Sequence, residues 1–358
     1  MVPVRLSPAD AVAALTEVLQ GGLDPESCPA RLGVPVPSGE LLLMPAATAE
    51  YAGVKIAGVA PRNPERGLPR ITGSYLLLDG ATLLPLALLD GAALTALRTP
   101  AVTALALDRL AAPTASHLVL FGTGPQAYGH LDALRGVRPL ERVTVVGRRS
   151  GPVAELVAHA ERLGLAAASG TPDAVADADL VVCCTTATEP LFDGGRVPDH
   201  AAVAAVGSHS PTGREVDSAL VRRSACYVEA RAVALREAGD LLLALSPEGA
   251  APLAAGEQPA RGQAAGEPAA REQAAWEQAA REEAAWGEAA REWTNLAELV
   301  TGAGAGAVGA AGAGGSGVVS VPLDRPRFFK SVGMAWQDLA VAVAAYRAWG
   351  GRWQAAGA

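Results

Sequence analysis

The chain has 358 residues, enough for two domains of ordinary size, and half of them are hydrophobic. Aromatic residues make up only 4%, so we expect a core built mainly from Ala, Val and Leu. A formal charge of −8 without a basic stripe argues against nucleic acid as a partner. No apolar run approaches the ~20 residues that cross a bilayer, so we expect a cytoplasmic protein without membrane contact. The four cysteines form no CxxC pair, so we expect reduced thiols and no metal site.

The first part of the chain, to about residue 110, combines a helix with short apolar runs. The start of that helix shows a capping residue, a first-position proline and an early acidic residue: Ser7, Pro8 and Asp10. Between strand-like runs in 74–91, the Asp-Gly pair at 79–80 predicts a hairpin, so we expect a largely antiparallel sheet. A helix is expected over 94–110, with Pro100 as a break or a first-turn residue.

From residue 117 the pattern changes to continuous apolar strands that alternate with helices. The strands are expected at 117–122, 142–147, 178–186 and 201–209. Such strands are typical of a parallel sheet that is covered by helices on both faces. The sequence therefore predicts an α/β fold with a doubly wound parallel sheet.

A region of biased composition follows. Residues 254–293 form eight pentads rich in Ala, Glu and Arg, and residues 302–317 are almost entirely Gly and Ala. Five residues advance a helix by about 140°, so no single face collects the Trp and Arg positions. We expect a solvated insert that is helical in its later part, rather than a partner-binding helix, followed by a flexible linker.

The turn after the strand at 117–122 has the composition of a dinucleotide-binding loop. Gly122 suits the tight turn, Gly124 leaves room for a pyrophosphate, and Ala127 is small where the next helix packs on the strand. The free N–H groups of that helix would face the phosphates. The position of this turn in a βαβ unit favours a nicotinamide cofactor over a purely structural turn.

The end of the next strand distinguishes between the two nicotinamide cofactors. Proteins that bind NAD usually carry Asp or Glu there, where the carboxylate binds the ribose 2′-hydroxyl. This chain has Arg148 and Arg149 instead, and two guanidinium groups can pair with a 2′-phosphate. We therefore expect NADP(H), with NAD(H) as the alternative.

Several stretches, in order along the chain, resemble the ornithine cyclodeaminase/mu-crystallin family, which also contains ketimine reductases and some alanine and opine-type dehydrogenases. Before the glycine turn they are "LMPAAT" (43–48), "GVKIAGVAPRNPERGLP" (53–69) and "LLPLALLDGAALTALRTPAVTALA" (83–106). From the turn onward they are "FGTGPQA" (121–127), "ADLVVCCTTATEP" (178–190), "AVAAVGSHSPTGREVD" (202–217), "EAGDLLL" (237–243) and "FFKSVGMAWQDLAVAVAAY" (328–346).

The resemblance implies a division into domains. Residues 1–112 and 319–358 would form an α+β domain that binds substrate and dimerises. A Rossmann domain that binds NAD(P), residues 113–247, would be inserted into it. Residues 248–318 would be a low-complexity insert, mostly disordered or a solvated helix, and the protein would be a homodimer.

The resemblance also implies a substrate site made of three cations. In similar enzymes these positions hold the α-carboxylate of an amino or imino acid, and here they are Arg31, Lys55 and Arg98. A planar guanidinium binds a carboxylate through two hydrogen bonds. Lys55, crowded by two arginines, should have a lowered pKa, which suits it for acid–base work.

The chain departs from part of the family at "GSHSP" (207–211). In cyclodeaminases and the related alanine dehydrogenase the middle position is an aspartate that engages the substrate amine, whereas here it is His209. An imidazole cannot supply that fixed negative charge, which weakens the cyclodeaminase assignment. Ketimine reductases similar to mu-crystallin also lack the aspartate. We expect His209 either to donate a proton to the imine nitrogen or to line the cofactor pocket, and Asp217 to cap a helix.

Together these observations predict a reductase of cyclic or linear α-imino acids that also works in reverse as an amino-acid dehydrogenase. Lys55 and His209 are the candidate catalytic residues. The candidate cofactor-binding residues are Thr99, Gly122, Thr123, Gly124, Gln126, Ala127, Arg148, Arg149, Thr185, Thr186, Val206 and Gly207. Two alternatives stay open: an ornithine or lysine cyclodeaminase that uses bound NAD and releases ammonia, and a non-catalytic binder of small carboxylates.

Overall fold

The computed structural model describes residues 1–246, 284, 286–302 and 321–351. These residues form two β-sheets with helices packed against them. Most of the pentad region and nearly all of the Gly/Ala segment lie outside the described residues, so the expectations for them stay predictions.

The N-terminal region forms a five-stranded sheet in which each strand pairs antiparallel with the next one along the chain. Its strands are β1 (Leu32–Val36), β2 (Gly39–Ala47), β3 (Tyr51–Val59), β4 (Ile71–Asp79) and β5 (Pro85–Asp90). The antiparallel sheet is thereby confirmed, and β4 and β5 are the hairpin that the Asp-Gly pair predicts.

A second sheet of eight strands is parallel throughout. Its strands are β6 (His117–Phe121), β7 (Arg142–Val146), β8 (Ala166–Ser169), β9 (Leu180–Cys183), β10 (Ala202–Ala205), β11 (Ala225–Val228), β12 (Thr294–Asn295) and β13 (Arg327–Lys330). The four strands expected from the sequence are all present, so the doubly wound α/β fold is confirmed.

The helices cover both sheets. In chain order they are α1 (Pro8–Gln20), α2 (Gly91–Leu110), α3 (Pro125–Arg135), α4 (Ser150–Arg162), α5 (Ser218–Arg223), α6 (Arg231–Glu237), α7 (Gly239–Leu245), α8 (Leu296–Thr301) and α9 (Ala335–Ala348). The predicted start of α1 is confirmed, because the Ser7 hydroxyl accepts a hydrogen bond from the Asp10 N–H and the Asp10 carboxylate accepts one from the Ser7 N–H.

Helix α2 connects the two sheets. It packs on β3 and β4 of the antiparallel sheet and also contacts α3, β10 and β13 on the parallel side. It begins at Gly91, capped by the Asp90 side chain, and continues through Pro100 without a break. Buried side chains from both sheets therefore belong to one continuous apolar cluster around this helix.

The order of the parallel sheet, β12-β11-β13-β10-β9-β6-β7-β8, locates the cofactor crevice. From β6 the chain proceeds through β7 and β8 to one side, then crosses to β9 and β10 on the other side. In open α/β sheets ligands bind at the carboxyl ends of the strands where the direction of winding reverses. Here that point lies between β6 and β9.

The structure differs from the expected domain division in two places. The rest of that division stays a prediction. Strand β13 lies between β10 and β11 of the parallel sheet, although residues 319–358 were assigned to the other domain. In the described end of the expected insert, Trp286 and Trp293 are buried, and Trp293 packs on the core of the parallel-sheet region. Short runs flanked by biased composition carry no periodic signal long enough to reveal such packing.

Candidate active site

The turn from β6 into α3 fits a dinucleotide. Gly122 has a φ of +117°, and a Cβ there would lie 2.8 Å from the Cys184 carbonyl oxygen, so only glycine is accommodated. A Cβ on Gly124 would meet open space, and no side chain caps α3, so the positive end of this helix is open to an anion. Ala127 is fully buried on α3, which packs against α2.

Two further residues of this turn contact neighbouring elements. Thr123 packs beside Gly147, where an added Cβ would lie 2.9 Å from the Thr123 methyl group. Gln126 donates from its side-chain amide to the Thr95 carbonyl of α2, at 3.4 Å. Thr99 lies one turn further along α2 and is buried. The cofactor turn is therefore anchored directly to α2.

Arg148 and Arg149 lie at the start of α4, beyond the carboxyl end of β7, and both are exposed. No side chain caps this helix and its first turn holds no acidic residue. Within the described part of the chain neither arginine forms an ion pair. The positive end of the α4 dipole and two guanidinium groups thus create a site for an anionic group at this edge.

The ends of β9 and β10 carry the remaining cofactor candidates, Thr185 and Thr186 after β9 and Val206 and Gly207 after β10. One buried carboxylate ties the two strand ends together. Glu215 accepts hydrogen bonds from the Thr185 N–H, the Thr185 hydroxyl and the Gly207 N–H, each at 2.7 Å. Burial raises its pKa, while the charge of Lys330 and these hydrogen bonds oppose that shift.

A buried ion pair supports the loop that follows β10. Lys330, at the end of β13, lies 2.6 Å from Asp240 and donates to the Ser208 carbonyl at 2.8 Å. Asp240 in turn accepts from the backbone N–H groups of Glu215 and Val216. Residues from three separate segments thus fix the backbone next to His209.

The predicted substrate cations come together around one acidic side chain. Lys55 projects from the buried face of β3 and places its Nζ 2.6 Å from one oxygen of Asp338. The Nε of Arg98 lies 3.3 Å from the other oxygen, and Arg98 also donates to the Gln337 side-chain oxygen at 3.0 Å. The Lys55 ammonium also contacts the Thr95 hydroxyl at 3.4 Å.

Arg31 reaches the same cluster from the loop before β1. It donates to the carbonyl oxygens of Val332 and Gly333, at 2.8 and 2.7 Å, and pairs with Glu237 at 2.7 Å. Gly333 has a φ of +81°, and a Cβ there would lie 2.9 Å from the guanidinium nitrogens of Arg98. Gly333 thus lets the two arginines approach the same segment of backbone.

Sequence reasoning missed the side chains that bind these cations. Asp338, Gln337 and Glu237 all lie in stretches quoted for the resemblance, but none was singled out. A signal was present for Asp338, because it is an acidic residue within an otherwise apolar helix. Buried carboxylates are rare unless paired.

The pKa of Lys55 is lowered to about 8, as expected in direction. The largest cause is burial of the ammonium group, while Arg98 and Arg31 contribute less and the charge of Asp338 opposes the shift. Crowding by arginines, the cause proposed from the sequence, is therefore the smaller effect. An ammonium with this pKa can release its proton near neutral pH.

His209 lies in the loop after β10 and retains contact with solvent. Partial burial of its ring lowers its pKa to about 4, and the charges of Arg31, Lys330, Arg70 and Arg98 add to this shift. The imidazole is therefore neutral at pH 7. Asp217 caps α5 by accepting from the Leu220 N–H, which confirms its predicted structural role.

Among the residues that the structure describes, no helix is both long and apolar enough to span a membrane. The same part of the chain holds no group of three or more His, Cys, Asp or Glu side chains placed to bind a metal ion.

Comparison with known proteins identifies the family. The model of the ornithine cyclodeaminase/mu-crystallin family matches residues 9–274. The chain is 37% identical over 221 residues to Delta(1)-pyrroline-2-carboxylate reductase 2 of Burkholderia ambifaria, which covers 60% of this chain and 70% of that protein. It is 34% identical over 219 residues to mouse ketimine reductase mu-crystallin, with the same coverage of 60% and 70%.

The fold is shared with a solved structure of Delta(1)-pyrroline-2-carboxylate reductase from Thermococcus litoralis in complex with NADH and L-proline. The TM-score is 0.74, the identity is 24%, and the match covers 97% of both chains. The family model and the shared fold agree with the two-sheet architecture described above. The chain belongs to the ornithine cyclodeaminase/mu-crystallin family.

Proposed function

We propose that the protein is an imino-acid reductase that converts an α-imino acid with a free carboxylate, cyclic or linear, into the corresponding amino acid, and catalyses the reverse reaction. The observation that carries this proposal is the position of Thr95. Its carbonyl binds Gln126 of the cofactor turn, and its hydroxyl contacts Lys55 of the cation cluster. The substrate cations therefore lie immediately beside the start of the cofactor helix.

The cation cluster suits a carboxylate attached to the reacting carbon. Arg31 and Arg98 approach Gly333 from two directions, and Lys55 lies on the other side of Asp338. A substrate carboxylate paired with a guanidinium is held by two hydrogen bonds and fixed in orientation. Fixing the carboxylate also fixes the imine carbon next to it, which is what a transfer between two bound molecules requires.

NADP(H), when bound, supplies or accepts the hydride, and the chain supplies the proton. We assign proton donation to Lys55, because its pKa of about 8 leaves it protonated but able to release the proton near neutral pH. His209, with a pKa near 4, is neutral there and holds no imidazolium proton. In the reverse direction neutral Lys55 accepts the proton from the amine.

The preference for NADPH is the second part of the proposal. It is supported by Arg148 and Arg149 at an uncapped helix start that carries no acidic residue in its first turn. We also place the protein in the cytoplasm, where reducing conditions would preserve the four cysteines, all of them free thiols here.

We further propose that the protein is a homodimer formed through the antiparallel sheet. Leu32, Leu43 and Ile56 lie opposite one another on neighbouring strands and therefore on one face, as do Val34 and Leu41. Four of these five side chains are exposed, Leu32 to 57%. Soluble monomers rarely expose a continuous apolar patch of this kind.

The deciding experiment follows the loss of NADPH or NADH with Δ1-piperideine-2-carboxylate and Δ1-pyrroline-2-carboxylate. We expect oxidation of NADPH with at least one of these cyclic imines. Ammonia release from L-ornithine with NAD, without net reduction of NAD, would instead establish a cyclodeaminase. If the protein binds carboxylates but turns over none of these compounds, the remaining alternative is a non-catalytic protein that binds small carboxylates.

A further inference from the structure

Glu229 is a buried carboxylate that makes no contact with any of the three cations. It directly follows β11 and is 1% exposed. One of its oxygens accepts hydrogen bonds from the Ser331 hydroxyl at 2.8 Å and the Gln337 side-chain amide at 2.6 Å. The other accepts from the Val332 and Gly333 N–H groups, at 2.9 and 2.8 Å.

The segment held in this way, residues 331–337, provides contacts to the cations. The carbonyls of Val332 and Gly333 bind Arg31, and the oxygen of Gln337 binds Arg98. The same segment leads into α9, whose first turn carries Asp338, the partner of Lys55. Arg31 and Arg98 thus each contact the segment that Glu229 fixes, whereas Lys55 contacts the residue that follows it.

From this arrangement we propose that Glu229 is a positioning residue for the substrate carboxylate: it sets the geometry of Arg31 and Arg98 through residues 331–337. The inference rests on the proposed function, because it assumes that these arginines bind a carboxylate. Residues 331–337 and Asp338 also connect the two sheets, because Glu229 extends from the parallel sheet and Lys55 from the antiparallel one.

The role requires a carboxylate. Four donors converge on two oxygens, two on each, and every donor comes from residues 331–337. A glutamine has the same shape but offers one oxygen and one N–H₂ group. The N–H₂ group of the glutamine would then replace an oxygen that accepts two hydrogen bonds. Because N–H₂ is itself a donor, buried N–H groups would be left without an acceptor.

The test is Glu229→Gln. We expect the KM for the cyclic imine to rise about 10- to 100-fold, as loss of hydrogen bonds to a charged group would cause. The value of kcat should stay within about threefold, because binding is impaired rather than the chemical step. The KM for NADPH should not change, since the Glu229 contacts do not include the cofactor turn.

The matched control is Glu215→Gln, which also replaces a buried carboxylate at a strand end, but on the cofactor side. We expect this variant to raise the KM for NADPH more than the KM for the imine. An unchanged imine KM in folded Glu229→Gln protein would overturn the proposal. So would equal effects of both variants on both KM values, because that result means general destabilisation.

Two further measurements keep the test decisive. If Glu229→Gln does not fold, Gln337→Met removes the hydrogen bonds of that side chain to Glu229, to Arg98 and to the Met334 N–H, and should still raise the imine KM. An unchanged value overturns the proposal. If no imine is turned over by the wild type, the proposed function fails on its own. Binding of pyrrole-2-carboxylate, a flat ring with a carboxylate, is then measured by calorimetry. Binding that is about tenfold weaker in Glu229→Gln supports the positioning role, and equal binding overturns it.

Discussion

Lys55 is held 2.6 Å from Asp338 in a part of the site with little access to water, and its pKa is lowered to about 8. Only the protonated amine can donate to an imine, so imine reduction should be supported below pH 8 and lost as the pH rises through that value. Lys55→Arg keeps the charge but holds a guanidinium that does not release its proton. We expect this variant to lose about 100-fold in kcat with little change in the imine KM, measured as kcat against pH.

The control for this prediction is His209→Gln. Because His209 titrates near pH 4, the variant should keep the ionisation near pH 8. A wild-type profile without that ionisation, or a Lys55→Arg variant with normal kcat, would exclude Lys55 as the proton donor.

Cofactor preference is also decided by single residues. Replacing both Arg148 and Arg149 with Ala removes two cations from the start of α4. We expect the KM for NADPH to rise about 10- to 100-fold, the effect of losing charge-assisted hydrogen bonds, and the KM for NADH to stay the same. Arg162→Ala, at the other end of α4, should change neither value. Equal loss for both cofactors would show that the arginines do not recognise the 2′-phosphate.

Sequence reasoning reached the cations but not their partners, and the reason is physical. Lys55 and Arg98 lie in motif positions, whereas their contacts, Asp338 and Gln337, are 283 and 239 residues away along the chain. No local period encodes such a pairing. It follows only from the way β13 and α9 bring the C-terminal segment back to the antiparallel sheet.

At the scale of elements, the contact between α2 and α3 sets the distance from the cofactor turn to the substrate cations. The helices meet at Gly129, where a Cβ would lie 2.7 Å from the Pro100 ring and 3.1 Å from the Ala96 carbonyl. That carbonyl lacks its helical partner because Pro100 has no N–H. Absence of a side chain on Gly129 therefore lets α3 pack directly over the turn of α2 that contains Pro100.

Gly129→Ala should destabilise the fold by about 1–3 kcal/mol, the usual result of inserting a methyl group into a packed contact. The matched control is Gly151→Ala, at the second residue of α4, where the new Cβ meets open space and stability should change little or rise slightly. Thermal unfolding of both variants tests the pair. A Gly129→Ala variant as stable as Gly151→Ala would contradict the close contact.

Helices and strands could be predicted where their sequence pattern extended over many residues. The alternation of strands and helices from 117 to 209 identified the parallel sheet, and the capping residues located α1. Strand β13 has four residues and follows a segment of Gly and Ala, so its position in the parallel sheet depended on pairing with β10 and β11. Buried Trp293 likewise belongs to a pentad whose composition resembles that of the pentads before it, so composition did not distinguish this residue.

At the scale of the whole molecule, the apolar face of the antiparallel sheet predicts the oligomeric state. Ile56 is 43% exposed and lies between Leu43 and Ser74 on the neighbouring strands. Ile56→Glu should convert the dimer to a monomer, because a two-fold interface would bury the introduced charge twice, once from each protomer. Sedimentation velocity measures the change, and Leu323→Glu, at an exposed position outside the sheet, is the control. A monomeric wild type, or a dimeric Ile56→Glu variant, would refute the proposed interface.

The long separation between Lys55 and Asp338 has a consequence for biosynthesis. A ribosome releases the antiparallel sheet and α2, with Lys55 and Arg98 in place, well before it synthesises the segment that holds their acidic partner. During that interval two cations face an apolar helix-packing surface without a counter-ion, which disfavours burial of that surface. The N-terminal sheet should therefore complete its packing only when α9 arrives, and the cluster of Lys55, Arg98 and Asp338 would be the last part of the nascent protein to form.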